Sequence, residues 1–253
     1  MFGLNAQRAE RAPDALELFS KGPHEATETF EIGDAGLSKE IAQTFEITAR
    51  RSGEDYSFEA ALYHTDFKDF IYKRLTGELC DDDFPSCTIG GVGPGTELDQ
   101  VLFTQEDARF QGFEAAGRVT VMRWSQSSAG LTGQFDVVRA KLDGGGNVPR
   151  IPPVRVGLGA FYQDDAFSGE VSFLHAFAQD KLGTNESETG SYTNLKAALR
   201  YQIPGEIWGK GNMELALIGE NLLDHDMRNH VSFKKEDVLQ PGRNVRLVMT
   251  ARF

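Results

Sequence analysis

The sequence has no long apolar run and has fewer basic than acidic residues. No stretch of about 18 apolar residues occurs, which excludes a membrane-spanning helix but not β-barrel strands, since these need only about ten alternating residues. Its 26 Lys and Arg are outnumbered by 38 Asp and Glu, giving a net charge of -12. Nucleic-acid binders need clustered cations to contact phosphates, so we expect no nucleic-acid partner.

Motifs of catalysis are also missing. GxGxxG, GxxxxGK[ST], HExxH and GxSxG do not occur, which leaves dinucleotide, P-loop and common hydrolase functions without support. An enzyme within a membrane barrel would need a Ser or Asp beside a His. One nearby pair, Ser172 and His175, is three residues apart on a predicted strand and therefore on opposite faces. We expect neither an enzyme nor a resident cofactor.

Only two cysteines are present, Cys80 and Cys87, in the polar segment CDDDFPSC. Their spacing is not the CxxC of a structural zinc site. A disulfide that closes a short loop outside the cytosol fits better, and two free surface thiols are the alternative, because the compartment decides between them.

Alternating apolar and polar residues dominate the rest of the chain. In the last segment Val245, Leu247 and Met249 alternate with Arg246 and Thr250, as expected for a strand with one apolar face. The same reading predicts ten strands, at roughly 2–10, 40–51, 56–72, 108–122, 128–142, 154–163, 168–179, 192–203, 212–222 and 243–253. Many have ten residues or more, longer than typical soluble strands and long enough for a tilted membrane crossing.

The connections between these strands alternate between long and short. The long ones are 11–39, 73–107, 143–153, 180–191 and 223–242, and together they hold 22 acidic and 10 basic residues. In an up-and-down antiparallel sheet every second connection lies at the same end, so one end carries long acidic loops, as in outer-membrane barrels. A soluble or surface-attached β-rich binding module is the alternative.

Several segments resemble the C-terminal portion of TonB-dependent outer-membrane receptors. The first, AQRAERAPDALELFSKGPHEATETFEIGDAGLSKEIAQTFEI, contains an R-x-P-x-x-x-E-L motif, a long loop and the start of the next strand. The matching residues are Arg11, Pro13, Glu17, Leu18, Gly33, Asp34, Leu37 and Glu40. Further similar segments are ARFQGFEAAGRV, VPRIPPVRVGLG, GENLLDHDMRNH and PGRNVRLVMTARF.

This resemblance implies an all-β fold, with residues 1–253 forming about ten strands of a transmembrane barrel of about 22 strands, without the plug domain. It implies active transport in a Gram-negative outer membrane, with the TonB complex contacting an N-terminal part that this chain lacks. It also implies contact with outer-membrane lipid. The terminal aromatic, Phe253, matches the residue that the barrel-assembly machinery reads.

The resemblance is greatest to zinc-type receptors in the segment GPHEATETFEIGD (22–34), so zinc is favoured over siderophore, haem or cobalamin as the transported substrate. Three histidines fall in predicted long loops beside carboxylates. Imidazole with carboxylate suits a borderline divalent cation, and acidic loops would concentrate it. The candidate metal ligands are His24, Glu25, Asp224, His225 and His230.

Overall fold

The computed structural model describes residues 1–81, 87–89, 98–203 and 212–252. Its strands and single short helix are, in chain order, β1 (Phe2–Arg11), α1 (Ala15–Phe19), β2 (Lys21–His24), β3 (Thr29–Ile32), β4 (Glu40–Ser52), β5 (Tyr56–Cys80), β6 (Cys87–Ile89), β7 (Leu98–Trp124), β8 (Ser127–Leu142), β9 (Arg155–Gln163), β10 (Phe167–Ala176), β11 (Tyr192–Ile203), β12 (Asn212–Glu220) and β13 (Asn244–Arg252). Within these residues, no helix has the length and apolar character to cross a membrane.

Ten of the strands form one continuous antiparallel wall. Their order is β1-β4-β5-β7-β8-β9-β10-β11-β12-β13, so each strand lies beside the next wall strand along the chain. This confirms the predicted up-and-down sheet. The order begins at β1 and ends at β13, and across the described parts of the chain these two strands do not pair with each other.

The alternation of connections is also present. The stretches 12–39, 143–154, 177–191 and 221–243 join wall strands at one end of the sheet, where β5 also ends and β7 begins; we call it the outer end. The stretches 53–55, 125–126 and 164–166 join them at the other end. The predicted short connection at 204–211 lies outside the described residues.

The two faces of the wall differ in polarity. One row of side chains across four neighbouring strands contains Leu4, Ile47, Leu62 and Phe113, the first three of them exposed. We call this side the apolar face. The opposite, polar face carries ion pairs between neighbouring strands, which join Arg50 to Glu59 at 3.3 Å, Arg155 to Asp136 at 3.0 Å and Arg200 to Glu170 at 3.2 Å. A sheet that exposes apolar side chains on one face is unlike a soluble sandwich, which buries them.

The outer end contains longer strands than the sequence predicts and three additional short ones. Strands β5 and β7 continue past the predicted boundaries 72 and 108 into a tall hairpin of 25 and 27 residues. Strand β3 pairs parallel to β7 and β2 pairs with β3, while β6 pairs with β5. Buried apolar residues collect here, in two clusters built on Phe30, Cys80 and Leu98 and on Ala108, Ala140 and Val148.

Candidate functional site

The residues of the R-x-P-x-x-x-E-L motif form an ion-pair cluster at the outer end of β1. The guanidinium of Arg11 donates to both carboxylate oxygens of Glu17, at 2.9 and 2.7 Å, and lies 3.4 Å from Glu40. Glu40 also accepts a hydrogen bond from the amide of Ile71 at 2.8 Å, near the register shift between Phe67 and Phe70. Arg11 therefore links β1 to α1 and β4, and Glu40 links β4 to β5.

Helix α1 is held in place by its own cap and by the chain that returns past it. Asp14 and Glu17 form a capping box, in which each side chain accepts from the other residue's amide. The amide of Gly33 donates to Ser20 at 2.8 Å, and a Cβ added at Gly33 would lie 2.6 Å from the backbone nitrogen of Phe19. Only glycine permits this approach, which explains why Gly33 stands at that place in the matching segment.

Replacing Arg11 by Met should loosen the base of this loop. The Glu17 and Glu40 side chains are 11% and 12% exposed and would lose their cation, at a cost of roughly 1.5–3 kcal/mol. Hydrogen exchange of the α1 and 33–34 amides in the full-length receptor should accelerate. Arg8→Met removes a cation of the same strand that is 56% exposed, and equal exchange in the two variants would contradict the assignment.

Farther from the wall, three long connections meet around the buried carboxylate of Glu186. We call Arg150, Glu186, His230, Phe233 and Lys235 the loop junction. Glu186 accepts from the amide of Arg150 at 2.9 Å and from the amide of Gly183 at 2.8 Å. The ammonium of Lys235 lies 3.3 Å away, and the Nε2 atom of His230 lies 3.2 Å away. The connections 143–154, 177–191 and 221–243 are thus tied to one side chain.

The charges of the loop junction are removed from water. The side chains of Glu186 and His230 are each 1% exposed and that of Lys235 is 7% exposed. Burial alone would raise the pKa of Glu186, but the combined effect of its partners lowers that pKa from 4.5 to about 2; these partners are His230, the amide of Gly183, Lys235 and the amide of Arg150. Burial lowers the pKa of Lys235, and Glu186 opposes that change.

The loop junction is connected to the tall hairpin and to the first loop. The guanidinium of Arg150 stacks 3.9 Å from the ring centre of Phe233 and donates to the carbonyl of Lys73 at 3.3 Å. The Lys73 ammonium in turn pairs with the buried carboxylate of Glu31 on β3 at 2.5 Å. A chain of charged groups therefore runs across the outer end from the last loop to the first.

Acid should open the loop junction. Because the pKa of Glu186 is lowered on folding, its contribution to stability is complete above about pH 4.5 and disappears as the pH falls through about 2. A nitroxide attached at Thr184→Cys should therefore gain mobility between these values, measured by electron paramagnetic resonance. A label at Gln126→Cys, in the opposite turn, serves as the control, and a parallel change there would point to general unfolding.

The predicted metal ligands are not brought together. His24 contacts Thr27 at 2.9 Å, and His225 accepts from the amide of Thr193 at 3.1 Å. Asp224 pairs with Arg243 at 3.1 Å, while His230 is buried in the loop junction. In the part of the chain that the structure describes, no three His, Cys, Asp or Glu side chains form a group that could hold a metal ion.

Of the other three predicted site residues, the structure describes the two cysteines. Cys80 and Cys87 are joined by a disulfide between paired positions of β5 and β6. The bond closes the outer end of the tall hairpin beside Phe30 and Leu98. Phe253, the predicted assembly signal, lies outside the described residues.

The residues that build the loop junction were not predicted, apart from His230. Glu186 and Lys235 occur in polar stretches without periodicity, where a charged residue is normally solvated. Burial of these residues depends on three connections that are far apart in the sequence. The positive φ of Arg150 and Asn185, each 57°, shows how irregular the local backbone is. No local pattern therefore indicates this site.

Comparison with known proteins identifies the class to which this fold belongs. The family model described as TonB dependent receptor-like, beta-barrel matches residues 1–222. The chain therefore belongs to the TonB-dependent receptor β-barrel family, whose members are outer-membrane transporters.

Individual relatives are named for different substrates. The heme/hemopexin utilization protein C of Haemophilus influenzae is 25% identical over 271 residues, which cover 97% of this chain and 35% of that protein. The structure of the copper transporter OprC aligns with a TM-score of 0.75 at 17% identity, covering 98% of this chain and 36% of the transporter. A mutant of the ferric enterobactin receptor PfeA from Pseudomonas aeruginosa aligns at 0.62 and 16% identity, covering 99% and 38%. This chain thus spans about a third of each relative.

Proposed function

We propose that this chain is part of the barrel of an outer-membrane receptor that takes up a scarce metal or metal chelate, with energy supplied through the TonB complex. The observation that carries the proposal is the wall itself. It places an exposed apolar face opposite a polar face and gathers all long described connections at one end. Together with the family match, this arrangement suits a wall between lipid and a wet lumen.

The charges of the outer end support uptake of a cationic substrate or metal complex. The five predicted long loops carry an excess of 12 acidic residues, equal to the net charge of the chain. Loops in water tolerate such an excess, and their field raises the local concentration of cations. The loop junction would hold three of these loops in fixed positions around the entrance.

Fewer observations support a particular substrate. The relatives are named for haem, copper and ferric enterobactin, and none of these names favours zinc. The zinc proposal keeps His24, Glu25, Asp224, His225 and His230 as ligands, which would have to move together on binding. It predicts that replacing His24 and His225 by Ala weakens zinc binding by the full-length receptor, measured by calorimetry. Unchanged affinity would remove both ligands.

A growth assay tests the uptake proposal. The full-length gene is expressed in a Gram-negative host that lacks its own receptors, under metal chelation, with haem, copper, ferric enterobactin or zinc supplied in turn. We expect growth to be rescued by one of these sources and only when TonB is present. Equal growth with and without TonB, or rescue by none of the sources, would contradict active uptake by this receptor.

Two further partners belong to the same proposal. Outer-membrane lipid would cover the apolar face, and the barrel-assembly machinery would recognise the segment that ends at Phe253. Replacing Phe253 by Ala in the full-length receptor should lower the amount of folded protein in the outer membrane, measured by heat-modifiable gel mobility. Unchanged folding would remove the assembly role.

A further inference from the structure

A cavity of about 220 Å³ lies between the loop junction and the tall hairpin of β5 and β7. Leu75 on β5 borders it on the hairpin side, and Phe233 borders it on the side of the last loop. We call it the junction cavity, and its polar lining includes Asp99, Arg150, Asn185, Ser187, Lys235 and Glu236. Pockets for drug-sized ligands usually hold roughly 300–1,000 Å³. The junction cavity therefore suits a small molecule, or one group of a larger molecule.

Arg150 brings to this cavity a positive charge that no carboxylate of the described residues pairs with. Its guanidinium stacks 3.9 Å from the ring centre of Phe233 and donates to the carbonyl of Lys73 at 3.3 Å. A guanidinium offers several N–H donors, and the others have no acceptor in the described part of the chain. Burial lowers the pKa of Arg150, and Glu186 opposes that change from a distance.

Asp99 brings an opposite charge that is likewise unpaired. Its carboxylate has no hydrogen bond and no cation among the residues that the structure describes. The side chain is exposed where it lines the cavity, yet the surrounding protein desolvates it and raises its pKa, with a further rise from Asp237. Asp99 and Arg150 thus line one cavity without pairing with each other.

The other charged groups of the cavity are already engaged. The ammonium of Lys235 lies 3.3 Å from the carboxylate of Glu186 and donates to the carbonyl of Ser187 at 2.6 Å. The hydroxyl of Ser187 donates to the carboxylate of Glu236 at 2.6 Å. One cation and one anion of the lining therefore remain for a ligand.

We propose that the junction cavity binds the zwitterionic α-amino-acid group of a small ligand, with its carboxylate on Arg150 and its ammonium on Asp99. This deepens the proposed function, on which its role in uptake rests, because it gives the transported metal chelate a free α-amino-acid group. Arginine binds carboxylates through charge-assisted hydrogen bonds, often two in parallel.

A ligand with a single charge would satisfy only half of this lining. An anion would pair with Arg150 but would meet the repulsion of Asp99 and of the acidic outer loops. A cation would pair with Asp99 and leave Arg150 without a partner. In an α-amino acid a single carbon atom separates the ammonium from the carboxylate, so one small molecule can reach both groups.

Asn185 adds a further acceptor for the ammonium. Its side-chain amide donates to the carbonyl of Leu75 at 3.2 Å, which leaves the side-chain oxygen without a partner among the described residues. Each contact of this kind involves a charged group of the ligand. Loss of one charge-assisted contact should weaken binding at least about tenfold.

Binding of L-alanine, N-acetyl-L-alanine and L-alaninamide to the full-length receptor in detergent, measured by saturation-transfer NMR, tests the proposal. The wild type should bind L-alanine at least about tenfold more tightly than either derivative, since each derivative lacks one of the two charges. Asp99→Asn should weaken binding of L-alanine by about the same factor and leave that of N-acetyl-L-alanine unchanged. Arg150→Gln should weaken binding of L-alanine and leave that of L-alaninamide unchanged.

Two controls separate recognition from loss of structure. Asp99 has no partner to lose, so hydrogen exchange across 177–191 should be the same in Asp99→Asn and in the wild type. Glu188→Gln removes an exposed carboxylate of the same loop that does not line the cavity, and it should bind all three ligands as the wild type does.

Absence of L-alanine binding, equal binding of the three ligands, or equal weakening of L-alanine and its N-acetyl derivative by Asp99→Asn would overturn the proposal. Equal loss in Glu188→Gln would overturn it as well. Failure of the uptake proposal is distinguishable, because TonB-dependent growth without L-alanine binding would overturn only the amino-acid site. L-alanine binding without TonB-dependent growth would overturn only uptake.

Discussion

Replacing Glu186 by Ala should destabilise the outer loops more than any other single change to their charged groups. The substitution leaves Lys235 and His230 buried without their carboxylate and frees the amides of Gly183 and Arg150. Breaking a buried ion pair by removing one partner typically costs 3–5 kcal/mol. Hydrogen exchange across 177–191 and 221–243 of the full-length receptor should rise strongly, while exchange in the wall strands stays the same.

Two variants separate the charge from the shape of the side chain. Glu186→Gln keeps the size and one acceptor oxygen, so it removes the charge beside Lys235 and one amide hydrogen bond without leaving a cavity. Glu188→Ala, two residues away and exposed, is the matched control and should change exchange very little. If Glu186→Ala and Glu188→Ala gave the same exchange, the loop junction would not hold these connections together.

Placing a charge on the apolar face should impair insertion of the barrel. Leu158 on β9 is 70% exposed and lies beside Gly133 of β8 and Phe173 of β10. Arginine facing lipid near the bilayer midplane costs about 2–4 kcal/mol. Leu158→Arg should therefore reduce the free energy of unfolding of the full-length receptor in lipid vesicles by about 2–4 kcal/mol, measured by urea titration.

The matched control places the same residue on the other face. Gln134 on β8 lies on the polar face, opposite Gly157 and beside the ion pair of Arg155 and Asp136. Gln134→Arg should change the folding free energy by much less than Leu158→Arg. Similar losses in both variants would show that the two faces do not meet different solvents.

The wall could be predicted because each strand carries its own information. A period of two in apolar residues identifies both the strand and its apolar side, as in β13 with Val245, Leu247 and Met249. The predicted strand 192–203 agrees with β11 (Tyr192–Ile203). Alternating lengths of the connections then fixed the order of the strands without any long-range contact.

The outer end could not be predicted in the same way. Beyond Phe67 the register between β5 and β7 shifts twice, so the alternation that identifies a strand is interrupted. Strand β3 pairs with the nearby β2, but its other side pairs with Asp99–Leu102 of β7, about 70 residues away. The burial of Glu31 and Glu186 depends on such distant contacts, and a sequence pattern cannot distinguish these carboxylates from solvated ones.

The contacts of the histidines also could not be predicted from their neighbours in the sequence. Imidazole next to carboxylate in the sequence suggested ligands at His24, His225 and His230. In the structure each ring nitrogen with a described contact meets a hydroxyl, a backbone amide or a single carboxylate. Neighbours in sequence supply donor types, whereas a metal site also requires that several donors converge.

The lateral borders of the wall have a consequence for how this chain can exist in lipid. Each of β1 and β13 pairs with one neighbour, so the other side of each strand presents backbone amides and carbonyls without partners from the ten wall strands. Hydrocarbon offers these groups no hydrogen bonds, and each orphaned group costs several kcal/mol. In a bilayer the free edges of β1 and β13 must therefore pair with further strands. Their outward-facing amides should become protected from hydrogen exchange only once the barrel is closed.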